Sequence, residues 1–141
     1  MRNTRVQAGF TLLELLVVLM IIGLLAAFVG PKYFSQIGKS QQQVARAQIE
    51  SFEKALDQYR IDVGHYPTSE QGLAALFTQP ASEGNWHGPY LKKAVPPDPW
   101  GNAYVYKQPS ASPTLDYDIT SYGKDGKSGG AGDDADITNA Q

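Results

Sequence analysis

The sequence predicts an α+β fold in which one long N-terminal helix packs on a small C-terminal domain with a short helix and an antiparallel sheet. An apolar run first fills residues 10–29, with Glu14 as its only charge. Apolar residues then recur at helical spacing, and a region rich in proline, glycine and tyrosine follows. These patterns divide the chain into a membrane helix (10–29), an amphipathic helical half (30–63) and a globular domain (64–141).

The apolar run has the length of a membrane helix. Twenty helical residues extend about 30 Å, the thickness of a bilayer core. No small-residue cleavage site follows the run, so we expect it to be retained rather than removed as an ordinary secretory signal. Gly30 and Pro31, with Gly23 before them, mark residues 23–31 as the place where a kink or an unwound turn is expected.

The second half of the helix is predicted to carry one apolar stripe, and with the first half to form a single helix over about residues 10–62. The stripe residues are spaced three and four apart, as one helical face requires: Ile49, Phe52, Leu56, Tyr59 and Val63. Such a stripe needs a cover, which the C-terminal domain would supply. Residues 38–43 have no apolar face, so we expect solvated or intersubunit surface there.

The C-terminal domain is predicted from turn residues and short strand-like runs. Thr68 or Ser69 offers an N-cap for a short helix through about Phe77. Residues 103–107 and 117–122 are two plausible strands, separated by a loop rich in proline and serine. Together they predict a small antiparallel sheet against the helix stripe.

Composition and charge exclude several classes of protein. The chain has no cysteine, so disulfides and thiolate metal sites are excluded. Its formal net charge is -2 and its strongest charge cluster is acidic, which is unlike a nucleic-acid binder. The two histidines, His65 and His87, are not accompanied by a serine or cysteine nucleophile motif. We therefore do not expect an enzyme.

Three stretches together resemble the major pseudopilins of bacterial type II secretion systems, a branch of the type IV pilin superfamily. The first is "GFTLLELLVV", which is similar to the signal that pilins and pseudopilins share. The others are specific to the major pseudopilins: "YPTSEQGLAAL" with "GPYLKKAVPPDPWGNAYVY", and "SYGKDGKSGGAGDDADI". The resemblance covers nearly the whole chain.

The resemblance implies a defined maturation and location. Residues 1–9 would be a basic leader, which a prepilin peptidase removes by cutting between Gly9 and Phe10 on the cytoplasmic face. The same enzyme would methylate the new amino terminus of Phe10. The mature chain would then be a single-pass protein of the bacterial inner membrane with its C-terminal domain in the periplasm.

The resemblance also implies a structural function. The chain would polymerise through its N-terminal helix into a periplasmic fibre, the pseudopilus, that helps export folded proteins through an outer-membrane secretin. Implied partners are further copies of the chain, minor pseudopilins, the prepilin peptidase and an inner-membrane assembly platform, with no nucleic acid. Two alternatives stay open: a major type IV pilin for adhesion or DNA uptake, and a membrane-anchored periplasmic module that binds calcium or hydrolyses a substrate.

Glu14 is the assembly residue that this function requires. A carboxylate within an apolar run is costly and usually has a partner. If subunits stack with their hydrophobic helices bundled, the Phe10 ammonium of one subunit lies level with Glu14 of a neighbour, and the two charges pair. The alternative is a carboxylate that reaches the lipid headgroups from the first helical turn, where the helix dipole also favours it.

The acidic, glycine-rich segment 123–137 is too flexible in composition to fold without help, and it is the candidate calcium site. Aspartates and freed backbone carbonyls are the oxygen ligands that Ca²⁺ prefers, although the spacing of the acids does not match an EF-hand. From spacing alone, a solvated acidic tail is equally plausible. The resemblance implies a calcium loop, for which the candidate ligands are the Asp125 and Asp133 side chains and the carbonyls of Tyr122, Lys127 and Gly130. Which of Asp133, Asp134 and Asp136 bind the ion is left open.

Overall fold

The computed structural model describes residues 9–140, with residues 34 and 35 described in backbone only. Its contacts divide the chain into two compact units, with the boundary between Ile37 and Gly38. A single helix, α1 (Leu12–Val63), begins in the first unit and ends in the second. The second unit adds three strands, β1 (Val105–Lys107), β2 (Asp118–Ser121) and β3 (Ile137–Thr138), and two short 3-10 helices, Leu73–Leu76 and Gly132–Asp134. The predicted fold class is confirmed.

The first half of α1 is apolar on every face. All residues from 9 to 29 are exposed in the isolated chain. The helix continues through Gly23 and Pro31 without a break, so the unwound turn that we expected there is absent from the described backbone. Proline removes one hydrogen bond from a helix but does not by itself end it when the neighbouring turns are strong helix formers.

The second half of α1 carries the predicted stripe. Four of its five residues are buried, with exposed fractions of 3% or less: Ile49, Phe52, Leu56 and Tyr59. Val63 is partly buried and packs against the same core. The opposite side of the core comes from the 3-10 helix and the sheet: Leu73, Leu76, Tyr106, Tyr117, Ile119 and Ile137. The period of the apolar residues therefore predicted the core face correctly.

The sheet is antiparallel, in the order β1-β2-β3. β1 and β2 lie inside the two predicted strands, with Tyr106 opposite Ile119. β3 was not predicted, because the segment that contains it is rich in glycine and aspartate. It pairs with β2, and Asn139 just beyond it accepts a hydrogen bond from the N–H of Ile119 (2.9 Å) and donates one to the carbonyl of Tyr117 (3.2 Å). The end of the chain is thus part of the fold.

The predicted short helix is wrong in length and type. Thr68 and Gln71 instead close a turn, in which each side chain accepts a hydrogen bond from the backbone N–H of the other. Gly72 follows with φ of 59° and ψ of -166°, which interrupts any helix begun at Thr68. Only the four-residue 3-10 helix remains, and it is stabilised by burying Leu73 and Leu76.

Candidate functional sites

The first turn of α1 is closed by a capping box. The N–H of Thr11 donates to Glu14 Oε2 (3.3 Å), and the N–H of Glu14 donates to Thr11 Oγ1 (3.2 Å). This reciprocal pair satisfies two N–H groups that a helix start leaves without partners. Our sequence analysis missed this role of Glu14, although the T-x-x-E pattern before an apolar run is its known signature. Within one chain, the carboxylate therefore already has a local partner.

The apolar surface around Glu14 has no cover from the described residues of the first unit, 9–37. Phe10 is 82% exposed. The helix is long and apolar enough to cross a membrane, and no residue of its most apolar stretch is buried. Such a surface requires lipid or other apolar helices around it. The structure thus places the predicted assembly residues, Phe10 and Glu14, together at the start of this apolar helix.

The polar run that follows the boundary between the units is partly an internal contact rather than free surface. Gly38 is buried, and a Cβ added to it would lie 1.8 Å from Asp133 Oδ1. Gln42 Nε2 donates to the carbonyl of Gly132 over 2.6 Å, and Gln41 Nε2 lies 3.5 Å from the carbonyl of Pro99. Our expectation of a wholly solvated or intersubunit surface is therefore wrong. The missing side chain at Gly38 gives the acidic loop room against α1.

The C-terminal loop, which we define as residues 123–136, is built from glycines in an unusual backbone conformation. All five of its glycines have positive φ, which other residues rarely adopt. Two of them also allow close approach: a Cβ on Gly123 would lie 2.8 Å from the carbonyl oxygen of Asp133, and one on Gly130 would lie 2.4 Å from that of Asp134. We took the glycine content as a sign of flexibility. It instead allows the loop to fold back on itself, with its two arms in close contact.

The candidate calcium ligands occupy different environments in this loop. Asp125 is exposed, and its Oδ1 accepts the N–H of Lys127 over 3.1 Å. Asp133 is half-buried with its carboxylate against Gly38. Asp136 Oδ2 accepts the N–H of Gly129 (3.0 Å), but its Oδ1 is buried without a hydrogen-bond partner. An orphaned carboxylate oxygen of this kind is costly unless a proton, a water or a cation satisfies it.

The donor set of the loop suits a hard cation that relies on backbone oxygens. Within residues 9–140, no three acidic, histidine or cysteine side chains form a metal-binding group. A cation here would therefore need carbonyl ligands as well as aspartates, which is the mixture that Ca²⁺ accepts and Zn²⁺ does not. The orphaned oxygen of Asp136 is compatible with such an ion.

His65 and Tyr59 make contacts that belong to the fold of the second unit. His65 Nδ1 lies 2.9 Å from the carbonyl of Tyr66, and its Nε2 lies 3.4 Å from a carboxylate oxygen of Glu83. A hydrogen bond from Gln71 is the main cause that lowers the pKa of Glu83. Burial raises the pKa of Tyr59 to about 12, which further disfavours the ionised form of its hydroxyl.

Comparison with known proteins identifies the family. The family model for "Type II secretion system (T2SS), protein G" matches residues 32–140, and that for the "Prokaryotic N-terminal methylation motif" matches residues 4–30. The type II secretion system core protein G of Vibrio cholerae is 44% identical, over 99% of this chain and 95% of that protein. The corresponding protein of Pseudomonas aeruginosa is 42% identical, over 96% of each chain.

A solved structure gives the same result for the fold. The crystal structure of the major pseudopilin from the type 2 secretion system of enterohaemorrhagic Escherichia coli aligns with a TM-score of 0.62 and 34% identity. The alignment covers 75% of this chain and 91% of that one. The resemblance inferred from the three sequence stretches is thus confirmed over nearly the whole length, and the chain belongs to the type II secretion system protein G family.

Proposed function

We propose that this chain is the major subunit of a type II secretion pseudopilus and polymerises through the first half of α1. The observation that carries the proposal is the contrast within one helix. Residues 9–29 are exposed on every face and have one carboxylate in the first turn, whereas the apolar stripe of the second half is already buried in a folded domain. A surface of this kind is suited first to a bilayer and then to a bundle of identical helices.

Before assembly, the chain would lie in the inner membrane as a single-pass protein with its globular unit in the periplasm. A prepilin peptidase would remove residues 1–9 and methylate Phe10. The subunit itself performs no chemistry. Minor pseudopilins and an inner-membrane platform would be its partners, and the fibre would help move folded proteins through an outer-membrane secretin. The family membership supports these assignments.

The processing step has a direct readout in the mass and charge of the mature chain. The leader contains Arg2 and Arg5 and no acids, so its removal leaves 10 basic residues against 14 acidic ones and changes the net charge from -2 to -4. Intact-mass measurement of the membrane-extracted protein should give a chain that begins at Phe10 and carries one added methyl group. Any other start, or an unmethylated terminus, contradicts the assignment of the peptidase.

Glu14 would act twice, first in the capping box of its own helix and then opposite the amine of a neighbouring subunit. The two roles need different chemistry. Glutamine at the third helical position preserves a capping box, because its side-chain oxygen can still accept the backbone N–H. Only a carboxylate neutralises an ammonium group that has left water, and removing one partner of such a pair costs about 3–5 kcal/mol.

Two matched substitutions separate these roles. Glu14→Gln keeps the cap and removes the charge, whereas Thr11→Ala weakens the cap and keeps the charge. We expect Glu14→Gln to insert into the membrane normally but to reduce the yield of sheared fibres, and the secretion of a reporter protein, by at least about tenfold. Thr11→Ala should retain most of both, since a lost cap costs only about 1 kcal/mol.

The outcome of this pair decides the function. Normal fibres from Glu14→Gln would contradict assembly through intersubunit charge pairing. Equal losses from both substitutions would mean that the helix start, rather than the charge, is what assembly needs. Loss of fibres from Glu14→Gln without any loss of secretion would favour the alternative of a type IV pilin.

We further propose that the C-terminal loop holds Ca²⁺. The side chains of Asp125 and Asp133 and the carbonyls of Tyr122, Lys127 and Gly130 would be ligands, and Asp136 Oδ1 is a further candidate because it is buried without a partner. Bound calcium would supply positive charge to a region with six acids and two lysines after Leu115. Because the ligands come from both the outgoing and the returning segment of the loop, the bound ion would link these two segments.

A further inference from the structure

A buried polar network lies beneath the C-terminal loop. Asp98 and Ser121 are the buried polar residues of the described chain, with 3% and 0% of their surfaces exposed. The Ser121 hydroxyl donates to Asp98 Oδ2 over 2.6 Å. Asp98 Oδ1 accepts the backbone N–H groups of Trp100 (3.1 Å) and Asn102 (2.8 Å). One carboxylate thus joins the Asp98–Asn102 turn to the last residue of β2.

The network also fixes both backbone polar groups of Gly123, the first residue of the loop. Asn102 Nδ2 donates to the Gly123 carbonyl over 2.8 Å, and the Gly123 N–H donates to Ser121 Oγ over 3.3 Å. Gly123 is buried with φ of 65°. Its backbone can therefore neither shift nor rotate without breaking a contact to one of these two side chains.

Gly123 also contacts residues 133 and 134, which form the returning arm of the loop. A Cβ on Gly123 would lie 2.8 Å from the carbonyl oxygen of Asp133 and 2.9 Å from the carbonyl carbon of Asp134. Directly after it, the N–H of Lys124 donates to the Asp133 carbonyl over 2.9 Å. The placement of Gly123 therefore decides whether the returning arm can close on the outgoing one.

We propose that Asp98, Asn102 and Ser121 form a latch that holds the C-terminal loop closed, with or without a bound cation. Asp98 is its hub, because three donors share that carboxylate. Asn102 and Ser121 are the positioning residues that touch the loop. The inference does not depend on fibre assembly, since every contact in it lies within the second unit.

Limited proteolysis of the full mature chain in detergent micelles tests the latch. Trypsin cuts after Lys124 and Lys127 only when the loop opens, and after Lys54 and Arg60 only when the domain unfolds, because those two lie in α1. Cleavage at each position is followed by mass in excess calcium and, separately, in excess chelator. When opening is fast, the cleavage rate follows the population of the open form.

We expect Asn102→Ala to raise cleavage within the loop by about tenfold in both solutions, since one lost buried hydrogen bond is worth about 1.4 kcal/mol, or a factor of ten. Ser121→Ala removes two hydrogen bonds, to Asp98 and from the Gly123 N–H, and should raise loop cleavage at least as much. Cleavage in α1 should stay as in the unaltered chain. Matched controls are Asn85→Ala in an exposed loop and Ser51→Ala on the exposed side of α1, and neither should change loop cleavage.

Three results would overturn the proposal. The first is loop cleavage within about threefold of the unaltered chain for Asn102→Ala, which removes the hydrogen bond to the Gly123 carbonyl and keeps the Asn102 backbone N–H that Asp98 accepts. The second is an equal rise at the α1 positions, which means that the domain as a whole has been destabilised. The third is an effect confined to the calcium-containing solution. If Ser121→Ala does not fold, Asn102→Ala alone decides the matter.

Discussion

The two halves of α1 differ in what covers them, although they form one continuous helix. The first half is apolar around its whole circumference and exposed from residue 9 to residue 29. The second half carries one apolar stripe, and that stripe is buried by the rest of the same chain. A helix that is apolar all round must find its cover in other molecules, whereas a striped helix finds it within the fold. Folding therefore uses the second half of α1, and the first half is left for the proposed assembly.

The largest effect on folding should come from emptying the stripe. Leu56 has no exposed surface, so Leu56→Ala should lower the free energy of unfolding by about 2–5 kcal/mol through lost burial and the cavity left behind. Ile61 lies five residues further along the same half and is 75% exposed. Ile61→Ala should therefore stay within about 0.5 kcal/mol of the unaltered chain.

Thermal or denaturant unfolding of the chain in micelles, followed by tyrosine and tryptophan fluorescence, measures this difference. These aromatic residues report on the second unit, because both tryptophans and nearly all tyrosines lie there. Similar losses from Leu56→Ala and Ile61→Ala would mean that the stripe does not form the core.

The next effect should come from calcium, and it should be confined to the second unit. Binding to the folded state alone adds RT ln(1 + [L]/Kd), about 2.7 kcal/mol at a hundredfold excess over Kd. The chain should melt at a higher temperature with calcium than with chelator. Asp125→Ala or Asp133→Ala should remove most of that shift, and Asp136→Asn should reduce it if the orphaned oxygen is a ligand.

Asp57→Ala is the control for these loop substitutions, because Asp57 lies on an exposed side of α1. It should leave the calcium shift unchanged. Identical melting curves with calcium and with chelator for the unaltered chain would contradict the calcium site. The loop would then be held by its own backbone contacts alone.

A smaller effect should appear in the pH dependence of folding. The hydrogen bond from Gln71 lowers the pKa of Glu83 below its ordinary value of 4.5. The stabilisation from Glu83 is therefore fully present above that ordinary value and is lost as the pH falls through the lower pKa of the folded state. Glu83→Gln should melt below the unaltered chain at about pH 6, and the gap should narrow as the pH falls below 4.5.

Glu70→Gln serves as the matched control for this prediction, since Glu70 is exposed in a neighbouring turn. It should show no gap at either pH. A gap for Glu83→Gln that widens on acidification would have the wrong sign and would exclude Glu83 as a group that stabilises the fold in its charged form.

The sequence predicted those parts of the fold in which apolar residues recur in a regular pattern. The 3-4 spacing from Ile49 to Val63 located the core face, and the unbroken apolar run located the first half of α1. The processing and assembly residues, Gly9, Phe10 and Glu14, came from a motif specific to one superfamily. The structure leaves their roles as predictions and adds the capping box with Thr11, whose pattern was readable in the sequence.

The parts that sequence missed depend on contacts between distant segments. β3 has two residues, too few for any alternation, and exists only because β2 offers it a partner. We predicted a flexible C-terminal loop because glycine has more backbone conformational freedom than other residues. At Gly123 and Gly130 the lack of a side chain instead allows two backbones to touch. Composition could not distinguish these two uses of glycine.

The separation of assembly from folding is tested most directly by the unfolding midpoint of Glu14→Gln, measured beside the unaltered chain in the same micelles. Because Glu14 lies in the first unit and the fluorescent core in the second, the two midpoints should agree within about 1 °C, while the yield of fibres from Glu14→Gln should fall. A midpoint that falls by several degrees would contradict the account, since the loss of fibres would then follow from a weakened domain rather than from an unpaired charge.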